Sequence, residues 1–163
     1  MTMTAPETQH SGVIRPQSWR IELPAGLDLL NENRTRRMHW RRVREMAAVV
    51  RQAAAIAGRN ARLHGLPQMR AAHVYYVIHP GPRAVRRDPG NWMQSAKAAV
   101  DGALVDAGVL QDDDSTRLIG PDPRLGAPVK GSQLVLIVTD LNQIHPDHLA
   151  LLNPPTTLPG ATA

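Results

Sequence analysis

The sequence predicts an α/β domain in which a small mixed sheet of about four strands packs with two helices, in the order β-α-β-α-β-β. Three observations predict it. Segments 18–25, 71–80 and 132–141 are rich in β-branched or aromatic residues or alternate apolar with polar ones, the signature of strands. Segments 40–60 and 91–107 instead space their apolar residues helically. The chain has 163 residues, which suits one domain with tails.

Taken in order, residues 1–16 are polar and are expected to be a disordered tail. In SWRIELPA (18–25), Trp19, Ile21 and Leu23 alternate, and Pro24 and Gly26 end the strand. Residues 26–38 read as a loop rich in Asn and Arg. From 40 to 60, Val43, Met46, Ala47, Val50, Ala54 and Ile56 form an apolar stripe, with Arg41, Arg42, Arg44 and Arg51 mostly off it. Residues 71–80 are a strand closed by Pro80 and Gly81, and 81–90 a loop. Residues 91–107 form a second helix ending at Gly108. The turn 109–115 leads to a short strand at 116–120 and an irregular loop, and 132–141 is the last strand. The folded domain is thus expected over 17–142, with a Pro-rich tail over 143–163.

Composition narrows the functional classes. Phe is absent and aromatics make up 3%, so Leu, Val, Ile, Ala and Met must fill the core. There is no Cys, which excludes disulfides, thiolate metal sites and a Cys nucleophile. No apolar run approaches a membrane span, and the first residues do not resemble a secretory signal, so the expected location is the cytoplasm. The net charge is +5, unevenly distributed. Residues 33–87 carry thirteen Arg against Glu45 alone, a balance of +12; residues 88–163 balance at −5. A basic half that holds phosphates, joined to an acidic half that holds metal, accounts for this separation. Seventeen Arg against two Lys also reflects a plain preference for Arg.

The acidic features are Asp88, Asp101 and the run Asp112-Asp113-Asp114. A hard cation such as Mg²⁺ takes a few carboxylates and completes its shell with water and phosphate. Each acid also has a structural reading. Asp88-Pro89 suits a helix start, Asp101 could pair with Lys97 four residues earlier, and three Asp can mark a polar turn. His39 could serve as a base, contact phosphate or simply pack. His145 and His148 have no further ligand nearby. No P-loop, dinucleotide fingerprint or Ser-His-Asp signature occurs.

The stretch RRDPGNWMQSAKAAVDGALVDAGVLQDDD (86–114) resembles the core of the RusA family of Holliday junction resolvases: Arg-Arg-Asp, an Asn soon after, a Lys-Ala helix with Asp, then Ala-Gly and paired Asp. The upstream LNENRTRRMHWRR (30–42) is similar to the Asn- and Arg-rich lead-in of many members, phage-encoded ones especially. The likeness spans about residues 18–141. It implies a RusA-like α/β fold, a homodimer, and Mg²⁺-dependent (Mn²⁺ as a substitute) paired nicking of four-way DNA junctions in recombination and repair. It also implies catalytic roles for Asp88, Asp101, Asp113 and Lys97, metal ligation by Asp88, Asp101, Asp112 and Asp113, and DNA contacts by Arg34, Arg36, Arg37, Arg41, Arg42, Arg86 and Arg87. The chain departs from the pattern twice. Gly90 stands where many relatives have a second acid, and Asn91 and Lys97 lie three residues farther apart than in the shortest family pattern. Asp101, Asp112 and Asp114 are the candidates to replace the missing acid. The alternative is a protein of the same fold that binds junctions without cutting them, and a duplex-binding regulator with structural acids is a third reading.

Overall fold

A computed structural model of the chain describes residues 17–83 and 88–142. The two expected tails, with His145 and His148, and Arg86 and Arg87 lie outside these residues. The elements are β1 (Ser18–Glu22), α1 (Glu32–Thr35), α2 (Trp40–Leu63), β2 (Ala72–His79), a 3-10 turn (Pro89–Trp92), α3 (Met93–Val100), a π-helical stretch (Asp101–Asp106), β3 (Leu118–Leu125) and β4 (Gln133–Asp140). The fold is mixed α/β, with one four-stranded mixed sheet and three helices.

The sheet order is β1-β4-β2-β3. β4 pairs antiparallel with both β1 and β2, whereas β2 and β3 are parallel. A parallel pair needs a crossover, and α3 supplies it. The period of two sorts the side chains. Val74, Tyr76 and Ile78 of β2 face Val138, Leu136 and Leu134 of β4 in register, and Ile21 of β1 adds to them. These residues share one core with Val50 and Ala54 of α2 and Ala96, Ala99 and Val100 of α3. Both long helices therefore cover the same sheet face. Burying each large aliphatic side chain contributes about 1.5–3 kcal/mol.

Three elements differ from expectation. The segment read as a loop over 26–38 contains α1, because Asn31 caps it through its side chain (3.1 Å to the Asn33 N–H) and Glu32 and Arg34 suit its two ends. The second helix is not uniform: it begins as a 3-10 turn at Pro89, becomes α over Met93–Val100, then π over Asp101–Asp106, and stops at Gly108, which takes φ 70°. The strand expected at 116–120 runs from Leu118 to Leu125, through Pro121 and Pro123. β3 is an edge strand, where Pro residues lacking an N–H are tolerated.

The two long helices come unusually close. A methyl group at Gly102 would run into the Arg51 carbonyl, and one at Gly58 into the Ala103 carbonyl. Only glycine permits this approach of backbones. Buried Ser95 ties the lead-in to α3: its hydroxyl accepts from the Leu30 N–H (2.7 Å) and donates to the Leu30 carbonyl (3.2 Å).

Candidate functional site

The acidic site is built where α3 passes into the π-helical stretch. At 3.6 residues per turn, residues five apart point about 140° away from one another. Hydrogen bonding from i to i+5 brings them close to one face. The Ala107 N–H accordingly bonds to the Gly102 carbonyl (3.2 Å), and Asp101 and Asp106 both meet Arg51 of α2. Arg51 holds Asp106 with two bonds, Nε to Oδ2 at 2.6 Å and Nη2 to Oδ1 at 2.8 Å, and reaches Asp101 Oδ2 at 3.4 Å. The glycine contact at Gly102 lets Arg51 stand this near.

Asp113, from the turn after the π-helical stretch, joins Asp101. Burial first, and the neighbouring Asp113 charge next, push the Asp101 carboxyl above its ordinary pKa, while Arg51 opposes them. Asp106 lies below its usual range because Arg51 hydrogen-bonds its charged form.

The other expected residues are placed elsewhere or serve other bonds. Asp112 is exposed, and its Oδ1 accepts the Asp113 N–H (2.8 Å). Asp114 accepts from the Thr116 N–H (2.7 Å) and hydroxyl and from Arg117 (3.3 Å), as a turn residue does. Asp88 caps the 3-10 turn, its Oδ1 accepting the Gly90 N–H at 2.9 Å. The charges that chiefly act on Asp101 are those of Asp113, Arg51 and Asp106. Asp88 instead acts on the phenol of Tyr76, which burial and this charge raise to about 12. Lys97 is exposed one turn before Asp101, and Arg51 takes the partner's place that the sequence offered to Lys97. Among the described residues, no group of three or more His, Asp or Glu side chains comes together closely enough to hold a metal ion.

The described arginines expected at DNA lie on exposed positions of α1, its flank and the start of α2. Arg34 pairs with Asp28 (2.6 Å), Arg36 with Glu32 (3.7 Å) and Arg42 with Glu45 (3.6 Å), all at the surface. Such exposed pairs are weak enough to exchange for phosphate. Arg41 lies against Trp40, 5.4 Å from its ring centroid. His39 caps α2, its Nδ1 accepting the Arg41 N–H at 3.3 Å.

Sequence reasoning missed the roles of Arg51 and Asp106. Arg51 is one Arg among many on α2, and Asp106 is out of phase with Asp101 on an α-helix. The usable signal was Gly102 inside a helix, which marks a close approach by another backbone. Among the described residues, no helix is long and apolar enough to cross a membrane. Compared with models of protein families and with curated proteins, the chain matches none.

Proposed function

We propose that the protein is a metal-dependent endonuclease acting on branched DNA, a homodimeric, RusA-like enzyme of the cytoplasm. The observation that carries this reading is the surroundings of Asp101 after α3, a partly buried carboxyl held by Arg51 and raised in pKa by burial and by the charge of Asp113 from a separate segment. Like charges near one another, Asp101 partly buried and Asp113 exposed, favour a cation between them. Two carboxylates, with water and phosphate, suit Mg²⁺, which keeps much of its shell outside the protein. When bound, the ion polarises the phosphate and supplies an activated water.

The chain's own residues do the rest. Asp101 and Asp113 present oxygen ligands. Arg51 orients Asp101 and, gripped by Asp106, stays in place. Lys97, exposed on the preceding turn, steadies charge on the phosphate. Arg34, Arg36, Arg37, Arg41 and Arg42 bind the DNA backbone, a contribution independent of base sequence.

The test is cleavage of a synthetic four-way junction with Mg²⁺ by wild type and by Asp113→Asn. Wild type is expected to leave paired nicks, and the variant to lose at least a hundredfold in rate, on the order of the loss of one electrostatic catalytic group. Equal cutting by both proteins removes Asp113 from the mechanism. A second reading is favoured by one observation: Asp88 caps a turn and Gly90 replaces an acid, leaving a pair of carboxylates where relatives have more. On that reading the protein holds junctions without cutting them. Tight junction binding with no nick in Mg²⁺ or Mn²⁺ is its signature.

A further inference from the structure

Beside α1 lies a shallow, open cleft of about 390 Å³, between α1, the start of α2 and Gln94 of α3. Small-molecule clefts occupy roughly 300–1,000 Å³, so this one suits a small, flat ligand. Trp40 stands on its wall and is 56% exposed, unusual for so large an apolar ring. Two guanidinium groups lie over that ring, Arg41 at 5.4 Å and Arg44 at 5.8 Å from its centroid, and the His39 ring tilts against it at 5.6 Å, so an incoming base would take the place of one of them. Polar groups edge the cavity. The hydroxyl of buried Thr35 lies 3.3 Å from both the Glu32 carbonyl and the Gln94 Oε1, and exposed Gln94 stands at the rim.

We infer that this cavity is a pocket for one unpaired nucleobase, stacked on Trp40 and read along its edge by Gln94. The proposal rests on the DNA-binding reading above and adds a ligand site to it. An aromatic ring stacks any base, because every base has a π face. The flanking arginines hold the phosphates on either side of that base, and Gln94 can both donate to and accept from a base edge. An apolar peptide is a poorer occupant, because Arg36 and Arg44 line the same cavity as Trp40. A base in a duplex cannot reach such a pocket without leaving its stack, so the pocket favours branch points and bulges, where unstacking costs least.

The position also fits. Gln94 and Asp101 are seven residues apart on continuous helix, about 10 Å at 1.5 Å per residue. That is about three base steps of a duplex strand at 3.4 Å each. A base held at Trp40 would thus set which phosphate, a few nucleotides away, meets the acid pair.

The experiment uses the full chain in EDTA with two DNAs of equal length, a perfect duplex and one with a single unpaired 2-aminopurine. Wild type is expected to quench the 2-aminopurine and to prefer the bulged DNA. In Trp40→Ala the quenching is lost and the ratio of the two affinities falls about tenfold; Trp40→Phe restores most of both. If Trp40→Ala quenches and discriminates like wild type, the pocket proposal is overturned while DNA binding stands. If wild type binds neither DNA, both the pocket and the nuclease reading fall.

Discussion

Asp101 stands where opposing influences meet. Burial and Asp113 raise its pKa, and Arg51 opposes them. Arg51 is already committed to Asp106 by two short bonds, which leaves Asp101 one longer contact. Replacing Asp113 with Asn removes the neighbouring like charge, so the Asp101 pKa is expected to fall toward its ordinary value. An NMR titration of the side-chain carboxyl reads this, and an unchanged value would show that the two groups do not interact in solution. The two acids on Arg51 have opposite linkage to stability. Asp101 is raised on folding, so the native state binds more protons between the unfolded and folded pKa values, and stability falls as pH rises through that window. Asp106 is depressed, so its contribution is present above the unfolded value near pH 4 and is lost as pH falls through the lower native value. Asp106→Asn should therefore be less stable than wild type at neutral pH, the gap closing in acid. Urea unfolding at pH 7 and pH 3 checks the sign; a gap that widens in acid contradicts it.

At the scale of elements, the contact of α2 with α3 and its π-helical extension decides the site. Gly58 and Gly102 allow the backbones to meet, and that approach delivers Arg51 to Asp101 and Asp106. Gly102→Ala must push the helices apart. We expect a loss of about 1–3 kcal/mol, the usual cost of overpacking, partly offset by the better helix propensity of Ala. Gly81→Ala, with nothing within 4 Å of the added carbon, is the control and should change stability little. Urea denaturation compares them, and equal midpoints for the two variants would contradict the close approach. The 3-10 turn is fixed differently. The Tyr76 hydroxyl, rising from the core, donates to the Pro89 carbonyl at 2.7 Å, and so anchors the turn that Asp88 caps.

For the whole molecule, charge separation is the dominant feature. The basic segment 33–87 supplies most of the lead-in and all of α2, while Asp101, Asp106 and Asp112–Asp114 gather in the π-helical stretch and the turn after it. Binding to DNA through this segment is expected to weaken steeply with salt, because each phosphate contact releases counterions. Arg37→Ala should lower the salt slope by about one, while Lys130→Ala, on the acidic half, should leave it unchanged. Fluorescence anisotropy with labelled duplex across a salt series measures both. A slope unaltered by Arg37→Ala would place Arg37 away from phosphate.

Much of this organisation was legible in the amino-acid order, because it depends on local properties. Alternation placed β1, β-rich composition placed β2 and β4, apolar spacing placed α2, and Gly108 marked the end of the second helix. β3 was only half legible: Pro121 and Pro123 argue against a strand until the strand is known to lie at an edge. The charge polarity, too, is a property of composition along the chain and needs no fold. Of the site, the acids Asp101 and Asp113 could be singled out by residue type, but their meeting could not. Which carboxylates converge depends on packing between residues far apart in sequence. The π-helical stretch turns Asp106 toward Arg51, the glycine contacts bring α2 near enough to supply it, and Asp88 is drawn instead to its own turn beside Tyr76. The sequence by itself thus determined the elements and the separation of charge, while the tertiary structure decided which charges meet.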